Sequence, residues 1–184
     1  MNKRLDEGNL VFEFPAFLSA ERFDSRELNA FGMTSVDFVA EDADSLYFIE
    51  VKDYQNPKAT LERRKIDYET LIAAVESKEA VFPIKMGSKI KDSLLRKFAM
   101  GEKLSKKVIY LLLVNLDGLG TYERGLLMTK ISGHVPTGLS ERRFSAFTSI
   151  AFDLVNAEQL KKYGIICTEK TASKTAPTPP AGCA

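Results

Sequence analysis

Asp37, Glu50 and Lys52 are the residues of this chain whose types and spacing suggest chemistry. Glu50 and Lys52 interrupt the end of an apolar run, LYFIEVKDY, residues 46–54. Burying either charge would cost several kcal/mol unless it were paired or bound. Residues two apart on a strand project from one face, so the Glu and the Lys emerge together. Asp37 lies on a preceding run, TSVDFVA, separated from the first by the polar EDADS. With the turn near residues 42–44, Asp37 falls opposite Glu50, where cross-strand Cβ atoms are about 5 Å apart. Two carboxylates at that distance repel, and one takes up a proton unless a cation compensates. Mg²⁺ or Mn²⁺ would do so: such an ion accepts one or two carboxylates and completes its shell with water and phosphate oxygen. Lys52 would then orient a water or stabilise charge developing on a phosphate. The set suits phosphodiester hydrolysis. The competing reading is an exposed hairpin end with a surface Glu–Lys pair, worth little to stability.

The elements that must hold these residues follow from pattern. LVFEF (10–14) alternates as a short strand and stops at Pro15. Phe17, Ala20, Phe23 and Leu28 recur at roughly helical spacing over 16–32, with Ser19 as a cap and Gly32 as the stop. The hairpin comes next. Two helices are then expected, Ala59 to about Val81 and Ile84 to Met100, the first carrying Leu61, Ile66, Leu71, Ile72 and Val75 on one face. KKVIYLLLVNL (106–116) reads as a strand buried on both faces. A helix over Thr121–Ile131, a strand over 145–156 and a short helix capped by Asn156 complete the order. The sum is an α/β domain over residues 8–166, a mixed sheet with helices on its faces. Residues 167–184, rich in Pro, Thr and Ala, read as a disordered tail.

With 45% hydrophobic and 28% charged residues, the chain can build a core without disulfides or metal staples. Its two cysteines, Cys167 and Cys183, both fall late, which points to a reducing, cytoplasmic setting. No apolar run is long enough for a membrane span, and MNKRLDEGN lacks the core of a secretory signal. A single histidine, His134, and no Cys/His cluster argue against a zinc hydrolase. Neither a Walker A nor a GxGxxG pattern is present. Charge is unevenly spread: residues 1–57 hold 5 Lys/Arg against 12 Asp/Glu, whereas 85–107 hold 8 against 2. An acidic segment beside a basic one would suit a metal site next to a phosphate-binding surface, and equally a solvated helix face.

The Asp-bearing strand followed by Glu50-Val51-Lys52 on an apolar strand resembles the PD-(D/E)XK nuclease superfamily over roughly residues 16–116. More narrowly, VDFVAE, LYFIEVKDY and KIKDSLLRKF resemble small uncharacterised bacterial members. The resemblance implies the restriction-endonuclease-like fold and a Mg²⁺- or Mn²⁺-dependent hydrolase acting on nucleic acid, DNA first. It implies Asp37 and Glu50 as metal ligands, the Val51 carbonyl as a further one, and Lys52 as the catalytic lysine. Many members add an acidic residue from the first helix, for which Glu21, Asp24 and Glu27 are candidates, Asp24 foremost. A role in bacterial DNA defence or repair is consistent with it. The small size suggests a homodimer or a partner subunit, and a nuclease fold without chemistry remains the alternative.

Lys85, Lys89, Lys91, Arg96 and Lys97 on the basic helix are candidates for contacting backbone phosphates, which gives affinity without reading sequence. For Lys89 there are two readings. It shares a face with Asp92, three residues on, and could form a surface ion pair. Alternatively it reaches a phosphate near the metal.

Overall fold

The computed structural model describes residues 3–24, 32–77, 81–137 and 150–170. Eight strands and three α-helices are found among them, in two sheets. The larger sheet has the order β3-β4-β5-β6-β7, formed by Ser19–Arg22, Phe38–Glu41, Ser45–Asp53, Lys107–Asn115 and Ile150–Val155. β3, β4 and β5 form an antiparallel meander, and β6 and β7 add in parallel. Helices α1 (Leu61–Glu76) and α2 (Val81–Ala99) cross from β5 to β6, and α3 (Thr121–Ser132) lies between β6 and β7. Successive parallel strands that advance in one direction place their crossover helices on one face, because such connections share one hand. All three helices accordingly pack on the same side, against Phe48, Tyr110, Leu112 and Val114.

The other side is closed differently from the expectation of helices on both faces. β1 (Lys3–Glu7), β2 (Leu10–Phe14) and β8 (Ile166–Glu169) form a three-stranded antiparallel sheet with β2 in the middle. Phe12 and Phe14 drive into Phe38, Ile49, Val51 and Leu111, and no residue of the three helices joins this second core. β6 serves both cores by alternation: Val108, Tyr110, Leu112 and Val114 point to the helices, and Ile109, Leu111 and Leu113 to the small sheet. Each such side chain contributes about 1.5–3 kcal/mol when fully buried.

Two further expectations are corrected. Residues 19–22 are a strand, not part of a helix, and pair with β4 from Ser19↔Glu41 to Arg22↔Phe38. Phe17 enters the lower core and Phe23 the upper one, a division that a single helical stripe would not give. Leu28 lies outside the described residues. Cys167, assigned to a tail, is buried in β8 opposite Phe12. Its neighbours supply the third strand, so the ordered fold runs past the expected boundary at 166. Residues 171–184 lie outside the described residues.

Candidate active site

The turn between β4 and β5 sets the register of the site. Asp42 accepts hydrogen bonds from the backbone N–H groups of Asp44 and Ser45 at 2.9 and 2.7 Å, an Asx-type turn at the expected place. From there Glu41 pairs with Leu46 and Phe38 with Ile49. Asp37 is the next residue out, and it meets the end of β5. Its Oδ2 accepts the backbone N–H of Val51 at 2.6 Å, and its own carbonyl accepts Phe23 N–H at 2.8 Å. Along β5, Leu46 and Phe48 face the helices, so Glu50 and Lys52 do too.

Glu50 is fully buried, at 0% exposure. Its Oε1 takes the Lys89 ammonium at 2.8 Å and also that of Lys52. Its Oε2 is buried with no hydrogen-bond partner. A carboxylate oxygen has two lone pairs, so two ammoniums saturate Oε1 while Oε2 keeps its full capacity. Leaving such an atom bare costs about 1–3 kcal/mol or more. Burial, and then the Glu50 charge, push the Asp37 carboxyl up from its usual 3.8 to about 7, against the pull of Lys89, Val51 N–H and Lys52. Burial works against the charge of Lys89, yet Glu50, with Asp37 and Asp24 beyond, holds its pKa above the ordinary lysine value.

α2 positions the cluster from above. Asp92 Oδ2 accepts the N–H and the hydroxyl of Thr34, each at 2.9 Å. Buried Ser93 Oγ accepts the N–H of Val36 at 3.0 Å. Arg96 donates to the carbonyl of Phe23 and lies 4.0 Å over its ring. Residues 89, 92, 93 and 96 thus form one helical stripe that holds Glu50, the neighbouring strand at Phe23 and the chain leading into Asp37. The sequence reading took Lys89 and Arg96 of this stripe for surface groups or phosphate contacts. Its three-and-four spacing of polar groups was visible, but nothing in the chain indicated that residues 34–37 would lie beneath it.

A groove of about 780 Å³ opens over the site, and Lys52, Lys89, Lys85 and Arg63 line it together with Tyr54 and Phe82. Glu50 and Asp37 are not among its walls, whereas Lys52 and Lys89, both paired with Glu50, are. Comparison of the chain with protein-family models, curated proteins and solved structures gave no match.

The other expected residues divide. Asp24 accepts the Ser35 hydroxyl at 3.4 Å and lies near enough to act on the charge of Lys89. Glu21 points elsewhere, exposed on β3 and 3.7 Å from Lys97. Glu27 lies outside the described residues. Lys85 and Lys91 are exposed, but only Lys85 reaches the groove. Arg96 and Lys97, expected at a phosphate surface, are engaged internally. Lys97 is buried, 2.9 Å from Glu102 and 5.3 Å over the Phe23 ring. The Lys89–Asp92 surface pair is replaced by Lys89–Glu50 and Asp92–Thr34. His134 is exposed beyond α3, its backbone against Gly87, where an added Cβ would fall 2.4 Å from the His134 Cβ.

The residues suit a hard divalent cation. Among the described residues no group of three or more His, Cys, Asp or Glu side chains forms a complete ligand set. Two carboxylates, one with a bare buried oxygen, match what Mg²⁺ takes from a protein when water and substrate phosphate supply the rest.

Proposed function

We propose that this chain is a metal-dependent phosphodiesterase of the PD-(D/E)XK type acting on nucleic acid, with DNA as the first substrate class. The observation that carries the proposal is the bare, buried Oε2 of Glu50 beside the Asp37 carboxyl. The order of elements supports it as well. A hairpin, a helical crossover and a buried parallel strand follow one another, the order that the resemblance implies.

Glu50, through Oε2, and Asp37 would hold Mg²⁺ or Mn²⁺, with the Val51 carbonyl as a candidate third donor. When bound, the ion supplies charge neutralisation at a phosphoryl oxygen and lowers the pKa of a coordinated water. The remaining work belongs to the chain. Lys52 spends one N–H on Glu50 Oε1 and keeps two donors for a phosphate oxygen as negative charge grows there. Asp37 must give up any proton it holds near neutral pH before it can serve as a ligand. Leu112 beside Glu50 and Tyr110 below, its hydroxyl donated to the Met86 carbonyl at 3.1 Å, keep water from the back of the site.

The test is a calorimetric Mn²⁺ titration of the wild type and of Asp37→Ala/Glu50→Ala, followed by cleavage assays on single- and double-stranded DNA and RNA. Saturable binding lost in the double variant, and cleavage lost in Lys52→Ala with the fold intact, are the expected results. A wild type that neither binds the ion at millimolar concentration nor cleaves with it would overturn the proposal.

One observation favours a second reading, a binding module of the same fold without chemistry, serving as a subunit of a larger bacterial system. Two lysines already balance the charge of Glu50, and Asp37 already caps the Val51 N–H. That reading expects nucleic-acid binding that survives Lys52→Ala and no cleavage by the wild type.

A further inference from the structure

Two lysines converge on one oxygen of Glu50, and the motif explains only one of them. Lys52 comes with the strand. Lys89 comes from α2, with its side chain 18% exposed, and it lines the groove. Lys85, one helical turn earlier on the same face, lines the groove as well. With both ammoniums on Oε1, their nitrogens lie within about 5 Å of each other, the span of two adjacent hydrogen bonds. Like charges so close are tolerated because Glu50 and Asp37 lie beneath them. A divalent ion on those carboxylates would remove that compensation and leave two cations facing the groove.

We propose that Lys89 is the substrate-contacting lysine of the site: it neutralises Glu50 in the free protein and passes to a phosphate of a nucleic-acid strand in the groove, with Lys85 as its outer partner. The proposal rests on the metal-dependent reading above. Three features favour it. Lys89 has an ammonium with donors to spare and an opening onto the groove. Its helix is fixed by Asp92, Ser93 and Arg96, so the lysine can move while its backbone stays. The groove also places Tyr54 and Phe82 beside the cations, and such rings are platforms for an unpaired base. Asp53, Asp67 and Asp92 share the walls, which makes the groove a poor track for a continuous duplex backbone and favours a single strand or a frayed end.

The experiment compares wild type, Lys89→Met, Lys89→Arg and Lys85→Ala by Mn²⁺ calorimetry and by the binding of a fluorescein-labelled oligothymidine strand in EDTA and in Ca²⁺ over a salt series, with thermal melts to verify folding. In Lys89→Met, Mn²⁺ affinity rises about tenfold or more, since an ammonium about 5 Å from a divalent ion opposes it by that factor even at the dielectric of water. Oligothymidine affinity falls, and the slope of log K against log salt drops by about 0.7 for one lost phosphate contact. Lys89→Arg restores the oligonucleotide term, and Lys85→Ala, at an exposed position, shows a smaller loss. Unchanged oligonucleotide binding in Lys89→Met, or Mn²⁺ affinity that falls rather than rises, would overturn the assignment and make Lys89 a support of Glu50. Should Lys89→Met not fold, unchanged oligonucleotide binding in Lys85→Ala together with a wild-type salt slope too shallow for two lysine contacts would overturn it. A wild type that binds no Mn²⁺ but shows the Lys89-dependent salt slope would sink the metal reading and retain Lys89 as an anion contact.

Discussion

Glu50, beneath α2, and Lys97, on α2 itself, are both buried charged side chains, and they are buried in different ways. Lys97 has its needs met: Glu102 at 2.9 Å, Glu21 at 3.7 Å and the face of Phe23 surround it, and both acids are themselves open to solvent. Glu50 has two cations on one oxygen and nothing on the other. The first arrangement anchors a helix end to a strand edge. The second retains binding capacity beside a groove. A buried charge alone does not mark a site; a buried charge with valence left over, next to an opening, does.

The comparison can be broken most sharply at Glu50. Glu50→Gln keeps the shape and removes the charge, so Mn²⁺ binding should vanish in calorimetry and any cleavage fall by roughly a thousandfold or more. Wild-type activity in that variant would erase the distinction between the two clusters.

Asp37 offers the next largest effect, through pH. Its carboxyl keeps a proton in the folded state to about pH 7, whereas the unfolded chain releases it near 3.8. Between those values the folded state binds more protons, so this group lowers stability as pH rises, by about 4 kcal/mol at most once pH exceeds 7. Asp37→Asn should therefore match the wild type below pH 4 and exceed it at pH 8 in denaturant titrations without metal, and Mn²⁺ should narrow the gap. A constant difference across the range would mean that Asp37 is not held protonated.

Ser93 lies between the two clusters. Ser93→Ala strands the Val36 N–H in the core, at a cost of about 1–3 kcal/mol by chemical denaturation. Because Val36 precedes Asp37, the variant should also weaken Mn²⁺ binding; stability loss with unchanged metal affinity would uncouple the helix stripe from the site. Lys97→Met should have the smallest effect, within about 1 kcal/mol. It strands no buried charge, since Glu21 and Glu102 are exposed, and it loses ion pairs to solvent-open acids together with a cation–π contact. Metal binding should be untouched.

The hairpin and its three polar residues were legible because two largely apolar runs flank an Asp-rich turn that fixes register locally. β6 was legible for a simpler reason: its unbroken run, VIYLLLV, leaves no polar face. What the sequence hid was settled at long range. Ser-Ala-Glu-Arg at 19–22 has weak strand character, and it is extended because β4 offers an edge to pair with. Ile-Cys-Thr-Glu at 166–169 looks like the start of a polar tail, and it is a strand because β2 has an open side. In α2 the cationic run suggested a surface for ion pairs or phosphates, whereas Lys89, Arg96 and Lys97 each meet a group brought from far along the chain: Glu50, the Phe23 carbonyl and Glu21. Charge pattern predicts a helix face only when the neighbours of that face are local.

The small sheet has a consequence for how the molecule is made. β1 and β2 can zip together as soon as they emerge, joined by the two-residue turn at Gly8 and Asn9, with Gly8 at φ +56°. The far edge of β2 must wait for Leu10 to meet Glu169, so its N–H and C=O groups stay unpaired while nearly all of the remaining chain is synthesised. Closing so long a loop is a late and slow event. A nascent chain halted before Ile166 would carry an open, phenylalanine-rich strand edge, and so a template for pairing with its neighbours on the same message.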